Sequence, residues 1–236
     1  MIKGVKIGEF HSITDWNSAL KKKPTISPPK ARTQYINVPG RSGAIDLSEI
    51  LGPITYDMRT LTLELRYLGD INNWATMYSR ILNAIQGQMA LIVLDDDNLW
   101  SYTGRAEIAT WTPGRHYVDY TIKADIQPYK TKPPTYDEWE WDPFNFEEDV
   151  AIDRAYTITD TADTTIMVYQ EATIPLQVFL ESTVDATATW GGTVHAVPAN
   201  TPTAFYMTIP LGISTMTVRA TSGSGTFTID YARSKL

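Results

Sequence analysis

The side chains that could do chemistry in this chain are few, and most of them are carboxylates. Segment 131–149 reads TKPPTYDEWEWDPFNFEED, in which Trp139, Trp141, Phe144 and Phe146 alternate with acids. Aromatic rings beside Asp142, Glu147 and Glu148 are the ingredients of a glycan-hydrolysing subsite. That chemistry needs two carboxyl groups held at a fixed separation across a rigid cleft. A stretch stiffened by Pro133-Pro134 offers no such frame, so residues 133–150 are expected to be an aromatic and acidic linker pinned onto a neighbouring domain. Asp95-Asp96-Asp97-Asn98 invites a calcium reading. It lacks the alternating ligand spacing, the following glycine and the distant bidentate glutamate of a calcium loop, and is expected to be a turn.

Three histidines remain, His11, His116 and His195, and none stands at metal-ligand spacing from another or from an acidic cluster. His195 follows the Trp190-Gly191-Gly192-Thr193 hairpin, so an indole and an imidazole on adjacent strands form the one candidate saccharide contact. Ordinary part-buried packing is the competing reading for both. The chain contains no cysteine, which removes disulfides, thiolate nucleophiles and cysteine metal sites. It has no G-x-S-x-G, phosphate loop or dinucleotide fingerprint. No catalytic residue, metal site or cofactor is expected.

The elements that would carry these residues are mostly strands. Residues 59–67 alternate, with Leu61, Leu63, Leu65 and Tyr67 on one face and Thr60, Thr62, Glu64 and Arg66 on the other. Residues 116–126 repeat the pattern through Val118, Tyr120, Ile122, Ala124 and Ile126, and 100–110 place Ala106, Ile108 and Thr110 opposite Arg105 and Glu107. Between 69 and 87 the period changes: Ile71, Trp74, Tyr78, Ile81, Leu82 and Ile85 make one helical stripe that Asp70 can cap and Gly87 can end. From 155 onward eight short strands recur at the spacing of a β-sandwich, at 156–159, 165–170, 174–181, 186–190, 193–197, 203–209, 214–220 and 225–231.

One stretch has no core pattern of its own. After the strand at 33–38 the chain leaves through Pro39-Gly40-Arg41-Ser42-Gly43 and returns through Gly52-Pro53 and Tyr56 to Arg59. Such an excursion reads as an arm, and arms of this length touch another molecule. Its candidate interface residues are Arg41, Ile45, Leu47, Ile50, Leu51, Ile54 and Tyr56.

The formal charge is −7, distributed as +3 over residues 1–132 and −10 over 133–236. This asymmetry predicts two domains, 1–132 and 151–236, joined by the 133–150 linker. Neither half clusters its basic residues as phosphate-backbone recognition requires, and Lys21-Lys22-Lys23 reads as a solvated loop. No apolar run approaches the ~20 residues of a membrane span and no secretory leader is expected.

The motifs together resemble one family. In order they are Gly8, His11-Ser12 and Asp15-Trp16; Ile26-Ser27-Pro28-Pro29; Val38-Pro39-Gly40-Arg41-Ser42-Gly43 with Ile45-Asp46-Leu47; Tyr56 and Arg59; Leu82 with Ile85-Gln86-Gly87; Tyr102-Thr103-Gly104-Arg105; and Gln127-Pro128-Tyr129. Over the first ~130 residues this series resembles the distal tail proteins of siphophages, the Dit family. The resemblance implies a mainly β protein: a tail-tube-like N-terminal β-sandwich with one helix and an extended hairpin arm, then a galectin-like C-terminal β-sandwich. It further implies a homohexameric ring in the virion, assembled in the host cytoplasm, at the end of a long non-contractile tail. Its partners would be the major tail tube protein, the tail-tip or tail-associated protein, and a receptor-binding protein or host-surface saccharide, with DNA passing the channel unbound. The galactoside pattern of true galectins wants Asn and Arg soon after a histidine, whereas this chain reads His195-Ala196-Val197-Pro198-Ala199-Asn200. The alternative reading from the C-terminal strands is a carbohydrate-binding module for adhesion.

Overall fold

The computed structural model describes residues 3–50, 52–132 and 154–236. It divides into two compact units, Met1–Thr131 and Lys132–Lys235.

The first unit contains strands β1 (Val5–Ile7), β2 (Phe10–His11), β3 (Ser18–Leu20), β4 (Thr25–Ile26), β5 (Tyr35–Ile36), β6 (Ile45–Asp46), β7 (Arg59–Tyr67), β8 (Gln88–Leu94), β9 (Asp97–Pro113), β10 (Val118–Ile126) and β11 (Lys130–Lys132). One antiparallel sheet runs in the order β2-β1-β8-β9-β10-β7-β3 and curls into a half-barrel, with β4 also on β7 and β11 on β9. Its centre is the β7–β10 ladder, where Leu61, Leu63 and Leu65 stand opposite Ala124, Ile122 and Tyr120. All six side chains are buried. Each large apolar member contributes on the order of 1.5–3 kcal/mol, so this ladder is the part of the domain that the alternating pattern fixes most firmly.

The sheet departs from simple alternation at one point. Thr121 pairs with Thr110 but Ile122 pairs with Ile108, so Ala109 is an extra residue in β9. A bulge of this kind inverts which face later residues occupy. Trp111, and not Thr110 as the alternation predicts, therefore joins Ala106 and Ile108 on the inner face. Its ring lies 4.8 Å from that of Tyr120 and 4.9 Å from that of Tyr78.

A 3-10 turn, Ile71–Asn73, leads into helix α1 (Trp74–Ile85). The Asp70 carboxylate accepts from the Asn72 N–H at 2.9 Å and so starts the turn as the sequence predicts. The helix docks on the inner face of β8 and β9 through Ile81 and Ile85, which are fully buried, while Trp74 at the first turn remains 36% exposed. The expected stripe is thus fully buried only at its C-terminal end, while Ile71 packs part-exposed on the same core.

The second unit is a sandwich of β12 (Ala155–Thr159), β13 (Thr164–Gln170), β14 (Ile174–Ser182), β15 (Ala186–Trp190), β16 (Thr193–Val197), β17 (Thr203–Ile209), β18 (Gly212–Ala220) and β19 (Ser224–Asp230), followed by β20 (Arg233–Lys235). One sheet is ordered β12-β19-β14-β17 and the other β13-β18-β15-β16. Their inner faces supply one core, with Ile158, Val178, Leu180, Phe227 and Ile229 from the first sheet meeting Ile166, Val168, Ala188, Met216 and Val218 from the second. The eight strands read from periodicity are the eight that form these sheets. The last short strand, β20, is held to β13 through Gln170, which donates to the Ala232 carbonyl at 3.1 Å and accepts from the Ser234 N–H at 2.6 Å.

Candidate functional site

From Leu20 to Thr60 no described residue is buried. Forty residues without a core would not hold a shape alone, so main-chain pairing must supply one. The chain goes out and back as a narrow ribbon: Lys30 accepts from the Asp57 N–H at 2.8 Å, Thr55 from Arg32 N–H at 2.8 Å, and Ala31 bridges Tyr56. Farther out β5 pairs with β6, matching Tyr35 to Asp46 and Ile36 to Ile45. The Gln34 N–H then donates to Ser48 Oγ, and the Leu47 N–H to the Gln34 carbonyl, both at 2.8 Å. The Asp46 carboxylate accepts from the Ser48 hydroxyl and N–H, and these bonds hold its pKa below the usual carboxylate range. At the tip Gly40 and Gly43 adopt φ of +83° and +81°, a conformation that only glycine takes without strain, and Arg41 projects between them.

The base of the ribbon is clamped. Arg59 donates from Nε to the Ser27 carbonyl at 2.8 Å and from a terminal guanidinium nitrogen to the Pro128 carbonyl at 3.1 Å. Tyr56 meets Tyr129 edge to face at 6.0 Å, and Arg32 pairs with Asp57 at 2.6 Å. A single guanidinium therefore ties both strands of the ribbon's root to the end of the sheet. Tyr56 and Arg59 thus meet Pro128-Tyr129 at one place although the two pairs are far apart in the sequence.

The predicted interface residues fall into three groups. Arg41 and Ile50 are exposed, Ile50 at 68%, and Ile45, Leu47, Ile54 and Tyr56 are half-buried along the ribbon. Leu51 lies outside the described residues. Tyr35, Ile36 and Val38, at 57%, 45% and 40% exposure, add an apolar surface on the outgoing strand that the candidate set omitted. Period-two alternation over only a few residues gave no sign of which side of so short a strand would be open.

Trp190 and His195 are brought together by the β15–β16 hairpin but point into the sandwich. Trp190 packs against the core and its indole N–H donates to the Thr208 carbonyl at 3.3 Å. The His195 ring stands 4.5 Å from Phe205 at 58°. Both partners belong to β17 of the opposite sheet, so these two rings close the edge between the sheets. Asp142, Glu147 and Glu148 lie outside the described residues.

The acidic turn is organised by cations of the chain itself. Asp96 pairs with Lys3, Asp97 with Lys130, and Asp95 accepts from His11 Nε2 at 3.0 Å and from the Gly4 N–H at 2.6 Å. Burial opposes ionisation of Asp95, but the bonds from His11 and Gly4 outweigh it and its pKa is lowered. The Ile13 N–H points at His11 Nδ1, 3.3 Å away, which leaves Nε2 as the protonated nitrogen facing Asp95. Among the described residues no cluster of three metal-ligating side chains forms. His11 and Asp95 are 84 positions apart, and no local signal joined them.

A curled sheet with one helix, a projecting ribbon and a following sandwich is an architecture that can be compared with solved structures. The crystal structure of SPP1 Dit (gp 19.1), described as a paradigm of the hub adsorption apparatus in phages infecting Gram-positive hosts, superimposes with a TM-score of 0.61 over 100% of both chains. The fold is that of Dit. Sequence identity is 12%, so the likeness lies in the arrangement of elements and not in shared side chains. No family model and no curated protein matches the chain by sequence.

Proposed function

We propose that this protein is a structural hub of a long non-contractile phage tail tip. Copies assemble as a homohexameric ring that joins the tail tube to the tail-tip protein and leaves a channel for DNA. The observation that carries the reading is the arm: a ribbon with no buried side chain among its described residues, rigidly rooted by Arg59, on a domain with the Dit fold. A heterologous ring needs a projecting element on each copy and a receiving surface on the next, and a stiff ribbon meets the first requirement with little entropy to lose on docking. The interface residues proposed are Arg41, Ile45, Leu47, Ile50, Leu51, Ile54 and Tyr56, with residues 1–132 forming the ring and 151–236 placed outside it toward baseplate partners or a host-surface saccharide. The role is structural, in the virion, after assembly in the host cytoplasm.

Light scattering on the full chain and on a chain with residues 42–54 replaced by a short turn tests this. The full chain runs as a hexamer or stacked hexamers, and the shortened chain as a single folded copy by circular dichroism. A full chain that stays single at every concentration overturns the proposal.

A further inference from the structure

The outward face of the curled sheet is polar except along one strand. On β7, β9 and β10 the outward positions are Thr60, Thr62, Glu64, Thr103, Arg105, Glu107, Lys123 and Asp125. On β8 they are Met89, Leu91 and Val93, while the inward Ile92 and Leu94 are buried. This strand is apolar on both sides, the composition of a strand covered twice. Yet Met89 is 51% and Leu91 50% exposed.

We infer that the outward face of β8 is the seat for the arm of a second copy. The inference rests on the ring reading above and names the receiving surface that reading lacks. Two features argue for this occupant. The same unit carries a ribbon with its own uncovered apolar side chains, Tyr35, Ile36, Val38 and Ile50, and burying both sets together removes two exposed surfaces at once. The charges are complementary as well. The β8 face is flanked by Arg105, paired with Met89 on β9, and by Lys6, paired with Val93 on β1. The arm brings Asp46 and Glu49 on either side of Leu47, and Asp46 is held ionised by Ser48. From Met89 to Val93 the face is about 13 Å long, room enough to seat the compact turn at 47–50, which the Ile50 N–H closes onto the Leu47 carbonyl at 3.2 Å.

The absence of cysteine makes the test direct. Full-length chains carrying Ile50→Cys and Leu91→Cys are mixed, allowed to assemble, and treated with a short bismaleimide. Ile50→Cys mixed with Lys123→Cys, which lies on the polar part of the same face, is the control. The inference predicts a two-chain product for the Leu91 mixture at several times the control yield. It also predicts that Met89→Lys with Leu91→Lys lowers the hexamer fraction while leaving the unfolding midpoint nearly unchanged. Rings that form normally but crosslink no better than control overturn the β8 seat and leave the hub reading standing. Failure of the unaltered chain to form rings overturns both.

Discussion

At the scale of single residues, Arg59 decides whether the arm has a fixed root. It gives two charge-assisted bonds to carbonyls of segments 32 and 69 positions away. Arg59→Ala removes both, at about 2 kcal/mol of local stability. Limited proteolysis then cuts within 31–57 faster, while the thermal midpoint of the sheet moves less than for a core substitution. Asp119 supplies a pH-dependent test. Hydrogen bonding from Arg66, 2.8 Å away, with Lys21 adding to it, lowers its pKa to about 2 from an ordinary 3.8. A depressed carboxylate stabilises the fold above the ordinary value and loses that contribution as pH falls toward the folded value. The pair is partly solvated, so the effect is on the order of 1 kcal/mol, lost between pH 4 and about 2. Asp119→Asn flattens that part of the acid unfolding curve. Trp190→Ala lowers the stability of the sandwich by about 2 kcal/mol, because the indole both fills the sheet edge and bonds Thr208.

At the scale of elements, what the sequence shows depends on how far a pattern runs uninterrupted. Nine alternating residues in β7 and nine in β10 are legible because every second side chain enters one core. The sandwich strands are legible for the same reason. The face of β9 beyond Ala109 is not, since one extra residue reverses the alternation and nothing in the local sequence demands it there. The helix is legible in position, yet only Ile81 and Ile85 are fully buried, while Ile71, Met77 and Ala84 pack on the core part-exposed. The arm shows the opposite case. Its existence follows from a missing pattern, but its pairing of Tyr35 with Asp46 and its clamp by Arg59 depend on partners far along the chain. Ile85→Ala, which opens the contact between α1 and the sheet, costs about 2–4 kcal/mol in denaturant unfolding of the first unit.

At the scale of the whole molecule, the uneven charge and the pairing of the first unit's cations bear on the proposed passage of DNA through a ring. Lysines and arginines of the first unit are spent in pairs such as Lys21–Asp119, Lys22–Glu64 and Lys3–Asp96, so their field on a nearby phosphate backbone is small. A conduit for DNA works by leaving it unbound. The proposed role stands or falls with the ring, and negative-stain imaging of the purified full chain shows whether one forms. Closed six-fold rings with an open centre are expected, lost when residues 42–54 are shortened. Single copies at all concentrations would contradict the ring, and rings that persist without residues 42–54 would contradict the arm as the element that closes it.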